Sequence, residues 1–383
     1  MDSSRDARIR VTGLGLVDFR NYETLNLGLT SRFVVLHGDN GSGKTNLLEA
    51  VSLLSPGKGL RRAAYGEIAR SGGPAASGGF SVRARLAPLG PDVEPTDVLT
   101  LVRPDEGTAQ RLVRLDGTLT RSTDELLDLL RVIWLTPAMD GLFTGPAADR
   151  RRFLDRMVLT VDPGHGRRTL DYERAMRGRN RLLSDDRLDD RWLAGIERQM
   201  AELGLAIALA RDDLVARLAG LLDASSASPF PVAALDLQSG YEDLSLEGAA
   251  VDLEDRVAER LARRRMVDRA AGRTLEGPHR GDLLVSHRAK AMPAALSSTG
   301  EQKALLIGLV LAHARLVEAS SGMAPVLLLD EIAAHLDPGR RAALFDILDG
   351  FGVQSFLTGT DAALFSALDG RAQMLLVANG AVS

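Results

Sequence analysis

The sequence predicts an α/β fold interrupted by a helical lobe, and three observations carry that prediction. A glycine-rich loop, Gly38 to Thr45, separates the apolar run 33–36 from the apolar-periodic stretch 46–54, giving the order strand, loop, helix. A second apolar run, 326–329, ends in Asp330 and Glu331, the pattern of a buried parallel strand with carboxylates at its C-terminal tip. Between the two, from 150 to 273, long charged segments such as 191–222 have helical periodicity. The expected layout is 1–150 as the first half of the α/β domain, 151–275 as the lobe and 276–383 as the second half.

Taken in order, residues 8–27 alternate apolar and polar side chains around Phe19-Arg20-Asn21-Tyr22 and read as two antiparallel strands leading into 33–36. The segment 56–79 is rich in Gly, Ser and Ala and reads as loop. Short strands are expected at 80–86, 97–102 and 111–115, the last closing at Asp116-Gly117, and together they form an antiparallel flank. From Thr123 the pattern is mainly helical. Strand-helix alternation returns over 283–377, around 326–329 and 355–358. There is no internal repeat and no heptad array long enough for an extended coiled coil.

Composition narrows the function. The 383 residues contain no cysteine, which excludes disulfides, thiol catalysis and cysteine-ligated zinc, and the six histidines lack metal-ligand spacing. The N-terminus is polar and the longest apolar run, 304–312, is too short to span a bilayer, so a cytoplasmic protein with no membrane partner is expected. A net charge of -4 argues against coating nucleic acid by global electrostatics, so any polyanion contact must be local. Lysine occurs only at 44, 58, 290 and 303, so Lys44 inside the loop stands out.

The loop Gly38, Asp39, Asn40, Gly41, Ser42, Gly43, Lys44, Thr45 is a complete G-x-x-x-x-G-K-S/T motif. Its backbone N–H groups and the helix end behind it converge on one point, where the phosphates of a nucleoside triphosphate can be held. Lys44 would contact those phosphates, Thr45 and Asp330 would share the Mg²⁺ shell, and Glu331 would orient or deprotonate the attacking water. Taken alone, 326–331 reads equally well as a strand ending in solvated acids. Two neighbours decide it: His335-Leu336-Asp337 before the helix of 340–348, and Leu296 to Lys303 before another apolar helix.

Ser298-Thr299-Gly300-Glu301 resembles the signature of ABC-type ATPases, Asp330-Glu331 their Walker B end and His335-Leu336-Asp337 their D-loop. The resemblance implies an ABC-type P-loop ATPase head: a mixed sheet with flanking helices and an antiparallel β subdomain, split by the helical lobe. It also implies an ATP-dependent homodimer in which Ser298 and Gly300 of one copy cap the γ-phosphate held by the other, with Asp337 at the junction. Arg20 and Asn21 would lie beside the adenine, or be ordinary solvated strand residues.

Within that superfamily the chain resembles the RecF family over essentially its whole length. The resemblance runs through 18–22, 41–50, 54–61, Gly145-Pro146 with 150–155, 179–183 and 277–282. It implies ATP-dependent DNA binding at gaps, acting with RecO and RecR to load RecA in recombinational repair and the SOS response. Two departures stand out. Ala138 and Met139 occupy the place of the Q-loop side chain, with Asp140 as a substitute, and 355–361 has no switch histidine, leaving Thr358 or Asp361 as γ-phosphate sensors. A slow, DNA-stimulated ATPase without nuclease activity is the expectation.

Arg61 and Arg62, in the loop after the Walker A helix, are the preferred DNA contacts; 150–152 and 263–265 read equally well as solvated helix faces. Aromatics make up only 4% and do not interleave with basic residues, so contact with the duplex backbone is expected and not base stacking. Glu49 reads as an ordinary helix residue, Asn46 as packing for the loop, and His279 as a local structural hydrogen bond. The energy subunit of a membrane transporter is the alternative; it would keep the Q-loop Gln and the switch His. SMC-like or nuclease-associated heads would need a long coiled coil or an acidic nuclease domain, and a UvrA-like protein would need cysteines.

Overall fold

The computed structural model describes residues 9–70, 79–88, 94–103, 109–224 and 229–383. Residues 1–8 of the polar N-terminus and 71–78 of the expected loop 56–79 lie outside the described residues. The chain divides into two compact units, Met1–Asp140 with Leu306–Ser383, and Gly141–Leu305. The second unit contains the expected lobe of 151–275 and also the turns and strands up to Leu305.

In the first unit, β1 (Ile9–Phe19) and β2 (Tyr22–Gly28) precede β3 (Phe33–His37), whose residues Phe33 to Leu36 are all buried. A strand apolar on both sides must be covered on both faces, and β3 is accordingly central in a sheet of order β15-β14-β3-β13-β12-β8. Its other members are β8 (Val132–Leu135), β12 (Val326–Leu329), β13 (Ser355–Gly359), β14 (Ala372–Ala378) and β15 (Ala381–Val382). All are parallel except β15, which pairs antiparallel with β14. Strand β8 corrects the reading of 123 onward as mainly helical. Only four residues long, Val132 to Leu135 align with Val326 to Leu329 and become strand through that pairing, not through local pattern.

The antiparallel flank has the order β2-β1-β4-β5-β6-β7, with β4 (Phe80–Pro88), β5 (Thr96–Arg103), β6 (Gln110–Leu115) and β7 (Thr118–Leu119). Along β4, Val82, Ala84 and Leu86 point inward while Arg83 and Arg85 are exposed, the two-residue period of a half-buried strand. Asp116 and Gly117 both have positive φ, 48° and 81°, the geometry that suits a two-residue hairpin to strand twist. Phe19, Leu47, Val82, Val98 and Leu328 share one core, so the flank, the helix α1 (Lys44–Ser52) and the parallel sheet fold together. The short α2 (Tyr65–Ile68) follows in the same unit.

The second unit is built from α3 (Ala147–Val161), α4 (His165–Ser184), α5 (Asp190–Ala224), α6 (Ala250–Arg263) and α7 (Arg265–Ala271), with a small sheet of β9 (Ala233–Gln238), β10 (Asp282–His287) and β11 (Met292–Pro293). On α6, Leu253, Val257 and Leu261 recur every four residues and are buried, while Arg256 and Glu259 between them are exposed. Within the lobe, Arg179 is fully buried and bonded to Glu197, Asp268, Thr274 and the carbonyl of Leu261 at 2.7–3.0 Å.

Helix α8 (Thr299–Ser321) corrects the expectation for 304–312. It is long and apolar enough to cross a bilayer by length and composition, but 67% of that window is buried inside the protein, as in a core helix. Helix α9 (Pro338–Phe351) begins at Asp337, whose carboxylate accepts from the Arg340 N–H at 2.9 Å, and stops at Gly352 in left-handed geometry.

Candidate functional site

Because β3, β13 and β12 are adjacent and parallel, their C-terminal ends bring the loop after His37, Thr358 and Asp330 to one edge of the sheet. The loop's glycines are required by geometry. Gly43 has φ 117°, and a Cβ there would lie 2.6 Å from both the Asn21 amide and the Tyr22 hydroxyl; Gly38, at φ 142°, would place one 2.3 Å from the Val377 carbonyl. Lys44 is 4% exposed and donates to the carbonyls of Gly38 and Asp39 at 2.6 and 2.7 Å. The Thr45 hydroxyl lies 3.1 Å from both oxygens of Asp330, and the Thr358 hydroxyl donates to Asp330 Oδ1 at 2.7 Å.

Burial pushes the Asp330 carboxyl above its ordinary range, the hydroxyls of Thr358 and Thr45 oppose that, and neighbouring Glu331 adds to it. A cation at this point would relieve the same strain. Glu331 sits in the left-handed region at φ 54° with its N–H donated to Thr358 Oγ1 at 2.8 Å, an unusual backbone for a non-glycine residue. A cavity of about 130 Å³ is lined by Gly41, Gly43, Lys44, Thr45, Arg61 and Glu331. A larger groove, about 720 Å³, lies on the antiparallel flank among Val17, Arg83, Leu99 and Arg114 and contains none of the loop residues. The smaller one gathers the charged side chains of Lys44, Arg61 and Glu331.

The site residues fit a triphosphate and Mg²⁺. Ser42 Oγ, within the loop, is buried with no hydrogen-bond partner among the described residues. Thr45 and Asp330 offer the hard oxygen donors that Mg²⁺ takes.

A rim surrounds this loop, and here the sequence reading needs correction. Glu49 is not an ordinary helix residue: it is fully buried and accepts both Nε and Nη2 of Arg20 at 2.8 Å, and Nη1 of Arg61 at 3.1 Å. Arg20 also donates to the Glu67 carbonyl at 2.7 Å, so its guanidinium supports the rim. Arg61 donates to Asn46 Oδ1 at 2.5 Å and lines the cavity. Asn46 donates to Asn21 Oδ1 at 2.7 Å and Asn21 to the Ser42 carbonyl at 3.1 Å, so Asn46 does pack the loop and Asn21 braces it. Tyr22, which the sequence reading missed, donates to the Gly43 carbonyl at 3.1 Å. A lone glutamate among Leu47, Leu48, Ala50 and Val51, all buried, was the available signal for Glu49.

The other predicted residues lie elsewhere. Arg62 is exposed with φ 57°. Ala138 and Met139 form a turn directly after β8, with Asp140 closing it. Asp361 caps the following turn by accepting from the Ala363 N–H. Ser298 and Gly300 belong to the second unit, at the exposed start of α8; Ser298 Oγ and N–H both donate to Glu301 at 3.0 and 3.1 Å. Lys290 and those two donors hold the Glu301 carboxyl down at about 2. His279 makes the local bonds expected of it, with the Thr274 carbonyl and the Tyr172 hydroxyl, both at 3.0 Å. In the 263–265 cluster, Arg263 pairs with Glu259, while Arg264 approaches Glu276 and Arg265 grips Glu197 within the lobe.

Comparison with known proteins agrees with this geometry. The family described as the RecF/RecN/SMC N terminal domain matches residues 10–383. The DNA replication and repair protein RecF of Mesorhizobium japonicum is 59% identical over 377 residues, covering 98% of both chains. That of Rhizobium johnstonii is 59% identical over 376 residues, 98% of this chain and 99% of the relative. The structure of the recombination mediator protein RecF-ATPrS in the RecFOR pathway has the same fold, with a TM-score of 0.84 at 22% identity over 99% of each chain. A chain matched this closely over its full length, with the phosphate loop and Asp330 meeting at one sheet edge, belongs to the RecF family of the ABC/SMC superfamily.

Proposed function

We propose that this chain is an ATP-gated, cytoplasmic DNA-binding protein of recombinational repair and replication. The observation that carries the reading is the meeting of Thr45, Asp330 and Thr358 within hydrogen-bond reach beside the glycine loop, whose own carbonyls hold Lys44. Two kinds of support bear on the role: the curated relatives are named DNA replication and repair protein RecF, and the similar fold is that of a mediator in the RecFOR pathway.

Lys44 exchanges its carbonyl partners for phosphate oxygens, and Gly41, Ser42 and Gly43 direct donors at the same point. Arg61, steadied by Glu49, adds positive charge at the lip of the cavity. Thr45 and Asp330 would hold Mg²⁺, which would supply neutralisation of the phosphate charge. Glu331 orients the attacking water and accepts its proton. Ser298 and Gly300 of a second copy, with Asp337, complete the site, so ATP drives dimerisation and the dimer grips gapped or duplex DNA through backbone contacts. RecO and RecR act with it in loading RecA, and hydrolysis is slow.

The test is fluorescence anisotropy of a labelled duplex carrying a single-stranded gap, with and without ATP-Mg²⁺, paired with sedimentation to read the dimer. Lys44→Ala is expected to weaken nucleotide binding by about tenfold to a hundredfold, the worth of its charge-assisted hydrogen bonds, and to abolish nucleotide-dependent DNA binding. DNA binding that is indifferent to nucleotide and to Lys44→Ala would sink the gated reading.

A further inference from the structure

In the second unit, arginines from distant segments converge on one turn. Arg150, early in α3, grips both oxygens of Asp282 at 2.8 and 2.7 Å, and Arg151 beside it donates to the Gly281 carbonyl at 2.8 Å. Arg280, the residue before that glycine, is exposed. From α5, Arg211 donates to the Pro278 carbonyl at 2.6 Å and grips Asp155 at 2.8 and 2.9 Å.

The nearby carboxylates are all engaged: Asp282 by Arg150, Asp155 by Arg211 and His165, and Asp149 by Arg152. Among the described residues, neither Arg151 nor Arg280 makes an ion pair, so the turn carries two unneutralised guanidinium groups. Burial, then the charge of Arg211, with Arg280 adding to it, push Arg151 below its ordinary value, and Asp282 and Asp155, already engaged by other cations, offset this only in part. Helix α3 starts at Pro146 without a side-chain cap, so its positive end adds to that field.

We propose that Arg151 and Arg280, with the 280–281 turn between them, form a phosphodiester site in the second unit that holds the backbone of duplex DNA. This rests on the DNA-binding reading above and adds to it a contact surface separate from Arg61 and Arg62. Planar guanidinium forks suit phosphate oxygens, and backbone contacts position a duplex without reading its sequence. The turn 277–282 has no exposed aromatic on which a single-stranded base could stack. Nor has it an exposed large apolar side chain, the usual anchor of a protein partner.

The test is anisotropy of a labelled mixed-sequence duplex with the full chain and ATP-Mg²⁺ over a series of salt concentrations. Arg151→Gln with Arg280→Gln is expected to weaken binding at least about tenfold and to reduce the slope of log affinity against log salt by about two, one per lost phosphate contact. Arg280→Gln alone, at an exposed position where folding is not at stake, is expected to remove about one. Arg151→Lys with Arg280→Lys should keep the slope while losing part of the affinity, because charge remains and the fork does not. Arg263→Gln, on α6 and paired with Glu259, should change neither. Unchanged affinity and slope in the Gln variants, with the parent binding normally, overturns the site. The same result with weakened polyglutamate binding would assign the turn to an acidic protein segment instead. A parent chain that binds no duplex in any nucleotide state overturns both this site and the reading beneath it.

Discussion

The nucleotide loop and the core of the helical lobe both bury charge, and they do so in opposite ways. Among the described residues, Lys44 is held by two backbone carbonyls, which a stronger acceptor can replace. Arg179 is enclosed by two carboxylates, a hydroxyl and a carbonyl, and leaves nothing for a ligand to take. A buried ion satisfied by fixed side-chain partners specifies a fold; one satisfied by replaceable carbonyls is poised for exchange. The rim carboxylate Glu49 lies between these cases, buried like the lobe network yet holding an arginine that faces the cavity.

The largest effect that sharpens this contrast is in the lobe. Arg179→Met removes the hub while Arg265 still serves Glu197, leaving Asp268 as the main uncompensated charge; a loss of about 3–5 kcal/mol in chemical denaturation is expected. A near-neutral result would mean that the lobe network is as replaceable as the loop's, and would break the comparison. Next comes Glu49→Gln, expected to cost about 1–3 kcal/mol of stability and also to weaken ATP binding in a titration, because Arg61 loses its brace. Stability lost with nucleotide affinity intact would move Glu49 wholly to the structural side.

The smallest effect concerns acid. Burial raises the Asp155 carboxyl, but His165 and Arg211 more than offset that, so its folded value lies below the ordinary 3.8. A depressed acid contributes stability that is complete above the unfolded value and is lost as pH falls through the folded one. Denaturation midpoints measured from about pH 5 to about pH 3 should therefore decline more steeply in the parent than in Asp155→Asn. Parallel declines would show that this carboxylate contributes nothing to the acid limb.

What could be read from the sequence was what local pattern encodes. Strands β3, β12 and β13, the loop 38–45 and the hairpin through 19–22 each carry their signal within a few residues. Strand β8 did not, because four residues ahead of Pro137 become strand only when paired with β12. The end of the second unit, at Leu305, also escaped, since it falls inside α8 where helical periodicity runs on unbroken. Within the site, the approach of Thr45 to Asp330 followed from motif spacing. The rim did not: Arg20 and Arg61 reach Glu49 from 29 and 12 residues away, and no window on α1 announces them. The sequence therefore showed Arg61 only as a basic residue in a loop, without its place on the lining of the loop cavity.

One feature of the loop bears on speed. The Lys44 ammonium is already stripped of water and cradled by two carbonyls, much as a crown ether cradles a potassium ion. On the proposed reading, phosphate arrival is then a swap of one set of oxygens for another, and most of the cost of dehydrating the cation was met when the chain folded.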